Sequence, residues 1–326
     1  MDKLRIAVIG LGKMGLLHSS ILSAMPAIEI ASLCDKSFIL RRFAKKLFKS
    51  ARVVNDVENL SDLEIDCAYV TAPIPAHFPI INALYSRGIT KNVFVEKTLS
   101  SSWDKANELC SLSENAGGVN MVGYMKRFAV TFSKAKSLLA DCVLGELISF
   151  NGYAYSSDFS GFSQASKASL SRGGVLSDLG SHIIDLALWF FGDFEVDEAT
   201  LKSVVDKSCE DCANFTVRKS GLAGQFNISW CMENYRMPNF GLSIKGSNGN
   251  MKVDDYSISL EHNDGRSYTW YRHDLNDHVN FLLGEPEYYR EDEHFIKSIL
   301  NSDKAEPSFR TASKVDYIID QVKKEA

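Results

Sequence analysis

The residues with the most chemistry in them lie between Arg172 and Asp185, in the run R-G-G-V-L-S-D-L-G-S-H-I-I-D. Two glycines lead into a helical pattern. Asp178, His182 and Asp185 then fall at i, i+4 and i+7, one face of a helix. Ile183, Leu186, Ala187, Trp189 and Phe190 make most of the remaining helix surface apolar. A carboxylate and an imidazole one turn apart on such a helix suit general acid–base work, because an imidazole titrates near neutral pH. The alternative is structural, with Ser177 or Asp178 capping the helix start and His182 a hydrogen-bonded core histidine. On this stretch alone the two readings stand level.

A second constellation lies near residue 10. The apolar run Leu4–Ile9 meets Gly10-Leu11-Gly12-Lys13-Met14-Gly15, and a helical pattern follows to about Met25. A second apolar run, Ile28–Cys34, ends at Asp35, twenty residues after Gly15. Strand, glycine loop, helix, strand and terminal acid in that order point to a dinucleotide site. Gly10 permits the turn, Gly12 lets a pyrophosphate approach the backbone, and Gly15 lets helix and strand pack closely. The free N–H groups of the helix start, at Lys13 and Met14, then face the phosphates. Asp35 can accept bonds from both ribose hydroxyls and repels a 2′-phosphate, which favours NAD. Lys36, Arg41 and Arg42 follow closely and leave NADP open.

The elements that carry these groups alternate through the first half of the chain. Arg52–Val54, Ile65–Thr71, Asn92–Glu96 and Val119–Gly123 read as further strands, and Pro75–Arg87 and Ser102–Ala116 as helices. Six strands with helices between them predict a doubly wound parallel sheet, an α/β domain over residues 1–123. Such sheets bind ligands at the carboxyl ends of their strands, which singles out Gly10, Asp35, Thr71, Pro73, Glu96, Lys97 and Tyr124. Lys97 is either a point charge facing the cleft or an ordinary exposed lysine. His77 either faces the cofactor or supports its own helix start.

After a helix near Val130–Leu139 the period changes. Glu146–Ser156 reads as a long strand and residues 157–171 as a loop over a site. Seven more strand-like runs follow between Glu195 and Arg272, separated by turn signals such as Ser247-Asn248-Gly249. This predicts an α+β domain over residues 124–326, with a large, mostly antiparallel open sheet and closing helices near Glu291–Leu300 and Thr311–Lys324. An open sheet face suits pairing of subunits, as a homodimer or homotetramer.

Composition narrows the field. The 326 residues carry a net charge of −5, which argues against a nucleic-acid partner. The run Ile183–Phe191 is interrupted by Asp185, and no stretch reaches the roughly 18 apolar residues of a membrane span. The chain goes straight into Leu4–Ile9 without the apolar h-region of a secretory leader. Seven scattered cysteines suit a reducing cytoplasm. Cys209 and Cys212 form one C-x-x-C, too few donors for a tetrahedral zinc site, so no metal is expected.

Taken together, the motifs resemble those of the glucose–fructose oxidoreductase / inositol dehydrogenase (Gfo/Idh/MocA) family. They are Gly10-x-Gly12-x-x-Gly15, Ala72-Pro73-x-x-x-His77, Glu96-Lys97, Gly123-Tyr124-Met-Lys-Arg127-Phe, and Gly173-Gly174 followed by Asp178-x-Gly180-x-His182-x-x-Asp185. The family's E-K-P reads Glu96-Lys97-Thr98 here. The resemblance implies a Rossmann domain holding a nicotinamide cofactor, and a second domain whose sheet mediates oligomerisation. It places Lys97, Asp178 and His182 in the substrate site. It implies oxidation of a secondary alcohol of a sugar, cyclitol or nucleotide sugar, with His182 as base and Lys97 assisting. Tyr124, Arg127, Tyr153 and Lys167 are further candidates for substrate contact, with packing or surface charge as the alternative for each. The resemblance also admits a glycoside hydrolase that keeps NAD bound, or a non-catalytic dinucleotide sensor.

Overall fold

The computed structural model of the chain describes residues 3–157, 172–204, 209–281 and 283–326. The chain divides into two compact units. One comprises Met1–Tyr124 and Val279–Ser313, the other Met125–His278 and Lys314–Ala326.

The first unit is built on six parallel strands: β1 (Leu4–Ile9), β2 (Ile28–Cys34), β3 (Arg52–Val54), β4 (Cys67–Val70), β5 (Asn92–Glu96) and β6 (Asn120–Gly123). Their order is β3-β2-β1-β4-β5-β6. Cys67–Val70 and Val93–Val95 are wholly buried. That is why these strands read as unbroken apolar runs: a parallel strand is covered on both faces. Helices α1 (Lys13–Ser23), α2 (Phe38–Leu47), α3 (His77–Ser86) and α4 (Trp103–Ala116) provide the crossovers. The strand order reverses between β1 and β4, where such sheets open a crevice. A later helix, Glu287–Asn301, belongs to this unit as well. Its Phe295 packs edge-on against Tyr69 of β4, ring centroids 5.6 Å apart.

The second unit holds an eight-stranded sheet. Its strands are β7 (Leu147–Tyr155), β8 (Glu195–Lys202), β9 (Cys212–Lys219), β10 (Leu222–Ser229), β11 (Asn239–Gly246), β12 (Gly249–Asp254), β13 (Ser257–His262) and β14 (Ser267–Tyr271), in the order β14-β13-β12-β11-β7-β10-β9-β8. Neighbours are antiparallel except β7 and β10. Two helices, α5 (Val130–Ala140) and α6 (Ser181–Phe191), pack on one face. The alternate residues Phe150, Phe215, Phe226, Leu242 and Ile244 are buried there, and Phe150 stacks on Phe191 of α6 at 4.3 Å. The opposite rows are polar and at least partly exposed, with Asn151, Asn214, Gln225 and Ser243 among them.

The start of α6 departs from the expected cap. Neither Ser177 nor Asp178 caps the helix by its side chain; Leu176–Gly180 forms a widened π turn, and the α-helix proper begins at Ser181. Ser181 explains part of this. Its hydroxyl donates back to the carbonyls of Ser177 (2.8 Å) and Asp178 (3.3 Å), competing with the backbone amides for those acceptors. The wide turn also moves Asp178 off the ideal i, i+4 alignment with His182.

The remaining helices, numbered α7 (Glu287–Asn301) and α8 (Phe309–Glu325), close the chain. Among the described residues, no helix is long and apolar enough to cross a membrane.

Candidate active site

The glycine loop is shaped before any ligand arrives. Gly10 has φ +98°, and a Cβ there would lie 2.6 Å from the Ala72 nitrogen, so the close approach of β1 and β4 demands glycine. Thr71 braces the same loop, its hydroxyl donating to the Gly10 carbonyl at 2.6 Å. Gly12 is the residue before α1. No side chain caps the helix, no acid sits in its first turn, and nothing lies within 4 Å of where a Gly12 Cβ would be. Free amides and empty space at a helix start are what a pyrophosphate needs. Lys13 beside them is exposed and Met14 half-buried.

A cleft of about 400 Å³ opens at the carboxyl ends of β1, β2 and β4, with Gly10, Asp35, Asp56, Ala72, Pro73 and Ile80 in its wall. Asp35 is held in place there. One carboxylate oxygen accepts from the Leu11 amide and the other from the Ser37 amide, both at 2.7 Å. Arg41 donates to the carbonyls of Asp35 and Lys36, both at 2.7 Å. Of the three cations that left a 2′-phosphate open, Arg41 therefore serves the backbone of this loop. The apolar walls, the ordered acid and the uncapped helix start suit an adenine dinucleotide.

His77 is fully buried between two carbonyls, Nδ1 2.8 Å from that of Thr98 and Nε2 2.7 Å from that of Ala72. Burial pushes its pKa down, against the pull of the two carbonyls. Its contacts tie the loop after β4 to the turn after β5. Both ring nitrogens are taken up by these two carbonyls.

Glu96 ends β5 and leads to two residues that the spacing of motifs did not single out. His18 of α1 is fully buried, with Nε2 2.9 Å from Glu96 and Nδ1 2.8 Å and 3.0 Å from the two oxygens of Asp292 on α7. Burial alone would lower the imidazole's pKa. The Asp292 charge and hydrogen bond, followed by Glu96, reverse this and hold it well above the usual value. An imidazole on an apolar helix is the same signal that drew attention to His182. Its acidic partner lies 274 residues away and has no local signature. The other Glu96 oxygen accepts from the Lys97 amide at 3.2 Å, so the network reaches the residue that carries the ammonium. Lys97 itself is partly exposed, and the Lys97–Thr98 peptide is cis. Tyr124, just past β6, is wholly buried.

In the second unit, Arg127 lies under α6. Its Nε and Nη2 donate to the two Asp185 oxygens at 2.7 Å and 2.6 Å, and both side chains are buried. The fork that the sequence offered to a substrate is engaged by the third acidic or basic residue of the helix motif. Lys126 is likewise buried, 2.7 Å from Asp255. Tyr153 donates its hydroxyl to Asn239 at 2.8 Å, and burial pushes its pKa up. Asp178 is half-buried, 3.3 Å from Arg172. His182 is 6 % exposed, its ring edge-on to Phe240 at 5.3 Å. Lys167, with the expected loop over a site, falls in 158–171, outside the described residues. The first unit thus offers a dinucleotide cradle, and the second an imidazole in an apolar wall with a carboxylate in the preceding turn.

Residues 4–124 match the family model of an oxidoreductase family with an NAD-binding Rossmann fold, and residues 132–252 match the GFO/IDH/MocA C-terminal domain. The chain is 29% identical over 211 residues to the uncharacterised oxidoreductase YdgJ of Escherichia coli, covering 62% of this chain and 58% of that protein. It is 24% identical over 216 residues to levoglucosan dehydrogenase of Pseudarthrobacter phenanthrenivorans, covering 62% and 55%. The match thus spans somewhat over half the length of these curated relatives. The solved structure of a levoglucosan dehydrogenase in complex with NADH resembles it with a TM-score of 0.88 at 19% identity, covering 100% of this chain and 98% of that one, a likeness of fold. From these matches and from the cradle around Gly10, Gly12 and Asp35, the chain belongs to the Gfo/Idh/MocA oxidoreductase family, with that family's NAD-binding Rossmann fold as its first unit.

Proposed function

We propose that the protein is a dehydrogenase that oxidises a secondary alcohol of a polyhydroxylated ring, a sugar, a cyclitol or a nucleotide sugar, to the ketone. The observation that carries the reading is His182, a titratable imidazole set into an apolar wall one turn from a carboxylate, in a chain with an NAD-binding Rossmann fold. A levoglucosan dehydrogenase among the similar proteins supports the substrate class.

The cofactor is held by the amides at Gly12, Lys13 and Met14 and by Asp35, and when bound it supplies the hydride acceptor. The chain's own residues handle the proton and the ring. His182 takes the hydroxyl proton, a role typically worth about 10²–10⁴-fold in rate. Lys97 stabilises negative charge developing on the same oxygen, which a point charge does best where water is excluded. Asp178, steadied by Arg172, accepts from a neighbouring hydroxyl and fixes the ring's orientation. Glu96, engaged by His18 and by the Lys97 amide, fixes the backbone from which the Lys97 side chain departs. Copies of the chain pair through the polar face of the eight-stranded sheet.

The test is NADH-linked absorbance across a panel of sugars, cyclitols and nucleotide sugars. His182→Ala should lose about 10²–10⁴-fold in kcat while the Kd for NAD stays nearly unchanged. Normal turnover in that variant would remove His182 as base. Hydrolysis of a glycoside without net NADH release would replace dehydrogenation with elimination chemistry on a retained cofactor.

A further inference from the structure

A third group of chemically able side chains lies where β8, β9 and β10 meet. Asp211, Cys212 and Cys231 each offer one ligand atom, and the three atoms lie within 4.8 Å of one another. Hydrogen bonds fix their backbones. The Asp211 amide donates to the Lys202 carbonyl and the Trp230 amide to the Asp211 carbonyl, both at 3.0 Å. The Cys231 amide donates to the Ser229 hydroxyl at 3.0 Å. Cys212 faces Ser229 across the ladder, with Sγ 3.1 Å from that hydroxyl. One Asp211 oxygen accepts from the Val204 amide at 2.9 Å, which helps fix the carboxylate's orientation. The C-x-x-C of Cys209 and Cys212 looked isolated because Cys231 is supplied by the far end of the β9–β10 hairpin.

Two sulfurs and a carboxylate oxygen are the donor set of zinc and softer cations, whereas magnesium and calcium take oxygen alone. Among the described residues three donors converge, and a tetrahedral ion takes its fourth ligand from water or another donor. Burial pushes both thiols up, Cys231 to about 12, and the Asp211 charge adds to this for each. Two thiolates beside a carboxylate in a partly dry corner would repel one another, so the empty site favours protonated thiols. Around a divalent cation the same crowding is favourable.

We propose that Asp211, Cys212 and Cys231 form a binding site for a thiophilic divalent cation of the zinc class. Binding replaces two S–H bonds with two sulfur–metal bonds and releases two protons to solvent. The site has a mechanical link within its own unit. Glu210, the residue before Asp211, accepts through its carbonyl from the Val175 amide (3.0 Å) and through its carboxylate from the Leu176 amide (3.3 Å). A filled site therefore stiffens the corner that holds the π turn bearing Asp178. The proposal stands independently of the reaction assigned above.

The test uses the full chain, reduced, stripped with a chelator and titrated with Co²⁺. A sulfur-to-cobalt charge-transfer band should grow to one equivalent and disappear on addition of Zn²⁺. Cys212→Ser and Cys231→Ser should each abolish the band, whereas Cys142→Ser, at an exposed cysteine, should keep it. With two protons displaced, the apparent affinity should rise by about 100-fold per pH unit near neutrality. Absence of the band from the unsubstituted chain, or its persistence in either site variant, overturns the proposal. Circular dichroism of each variant separates a lost site from a lost fold, and zinc retained per unsubstituted chain after dialysis gives a readout that needs no variant. Less than one tenth of an equivalent retained would also overturn it.

Discussion

Asp35 shows how a single residue can be ready for a ligand. Its two oxygens are oriented by the amides of Leu11 and Ser37, so the carboxylate points into the cleft at no further entropic cost when a ribose arrives. Asp35→Ser removes the charge that opposes a 2′-phosphate and a charge-assisted acceptor worth roughly 1.5–3 kcal/mol. The ratio of Kd values for NADH and NADPH, read by nicotinamide fluorescence, should move about tenfold or more towards NADPH. An unchanged ratio would remove Asp35 from ribose recognition. This residue was legible because a fixed interval from the glycine loop identifies it. His18 was not, since its meaning depends on Glu96 and Asp292, and no interval in the sequence links the three. His77 was legible as a motif but not as a contact: only coordinates reveal that two carbonyls take up its ring.

At the scale of elements, the bidentate pair of Arg127 and Asp185 fastens the turn Met125–Phe128 to α6. Both groups are buried, so removing one leaves an uncompensated charge. Arg127→Ala should cost about 3–5 kcal/mol of stability. The double variant Arg127→Met, Asp185→Leu should recover most of that, because a buried pair replaced by apolar side chains of similar volume is often neutral. Thermal melts of the three chains decide it; equal losses in single and double variants would show that the pair is not the source. Strands β2 and β5 could be read from the sequence to their end residues, since short apolar runs bounded by charge or turn residues leave little choice. The π turn before α6 could not, because Ser181 competes for carbonyls one turn back and neither propensity nor period records such competition.

At the scale of the molecule, one buried and one half-buried carboxylate and a buried imidazole join α1, β5 and α7. The folded pKa of His18 lies above its ordinary value of 6.5, so its contribution to stability is whole below about pH 6.5 and is lost as the pH rises towards the folded value. Across that window, stability should fall by up to about 1.4 kcal/mol per pH unit. In His18→Asn the chain should be less stable and this part of the slope should vanish. Urea denaturation at a series of pH values measures both, and an unchanged slope would place its origin elsewhere. The two sheets and most of their strand directions were legible from hydrophobic period and turn signals, but the parallel pairing of β7 with β10 was not. The return of α7 to the first unit was not, because a helix's face says that it packs and does not say against which sheet.

That return bears on how the chain is made. Asp292 leaves the ribosome 274 residues after His18, with every strand of the second sheet translated in between. Until it emerges, the nascent first unit holds an imidazole with one of its two acids, and Tyr69 and Phe94 lack the aromatic ring that later covers them. The nucleotide-binding half, begun first, is thus not complete until every strand of the second sheet has been translated, and only the Lys314–Ala326 segment of the second unit follows it.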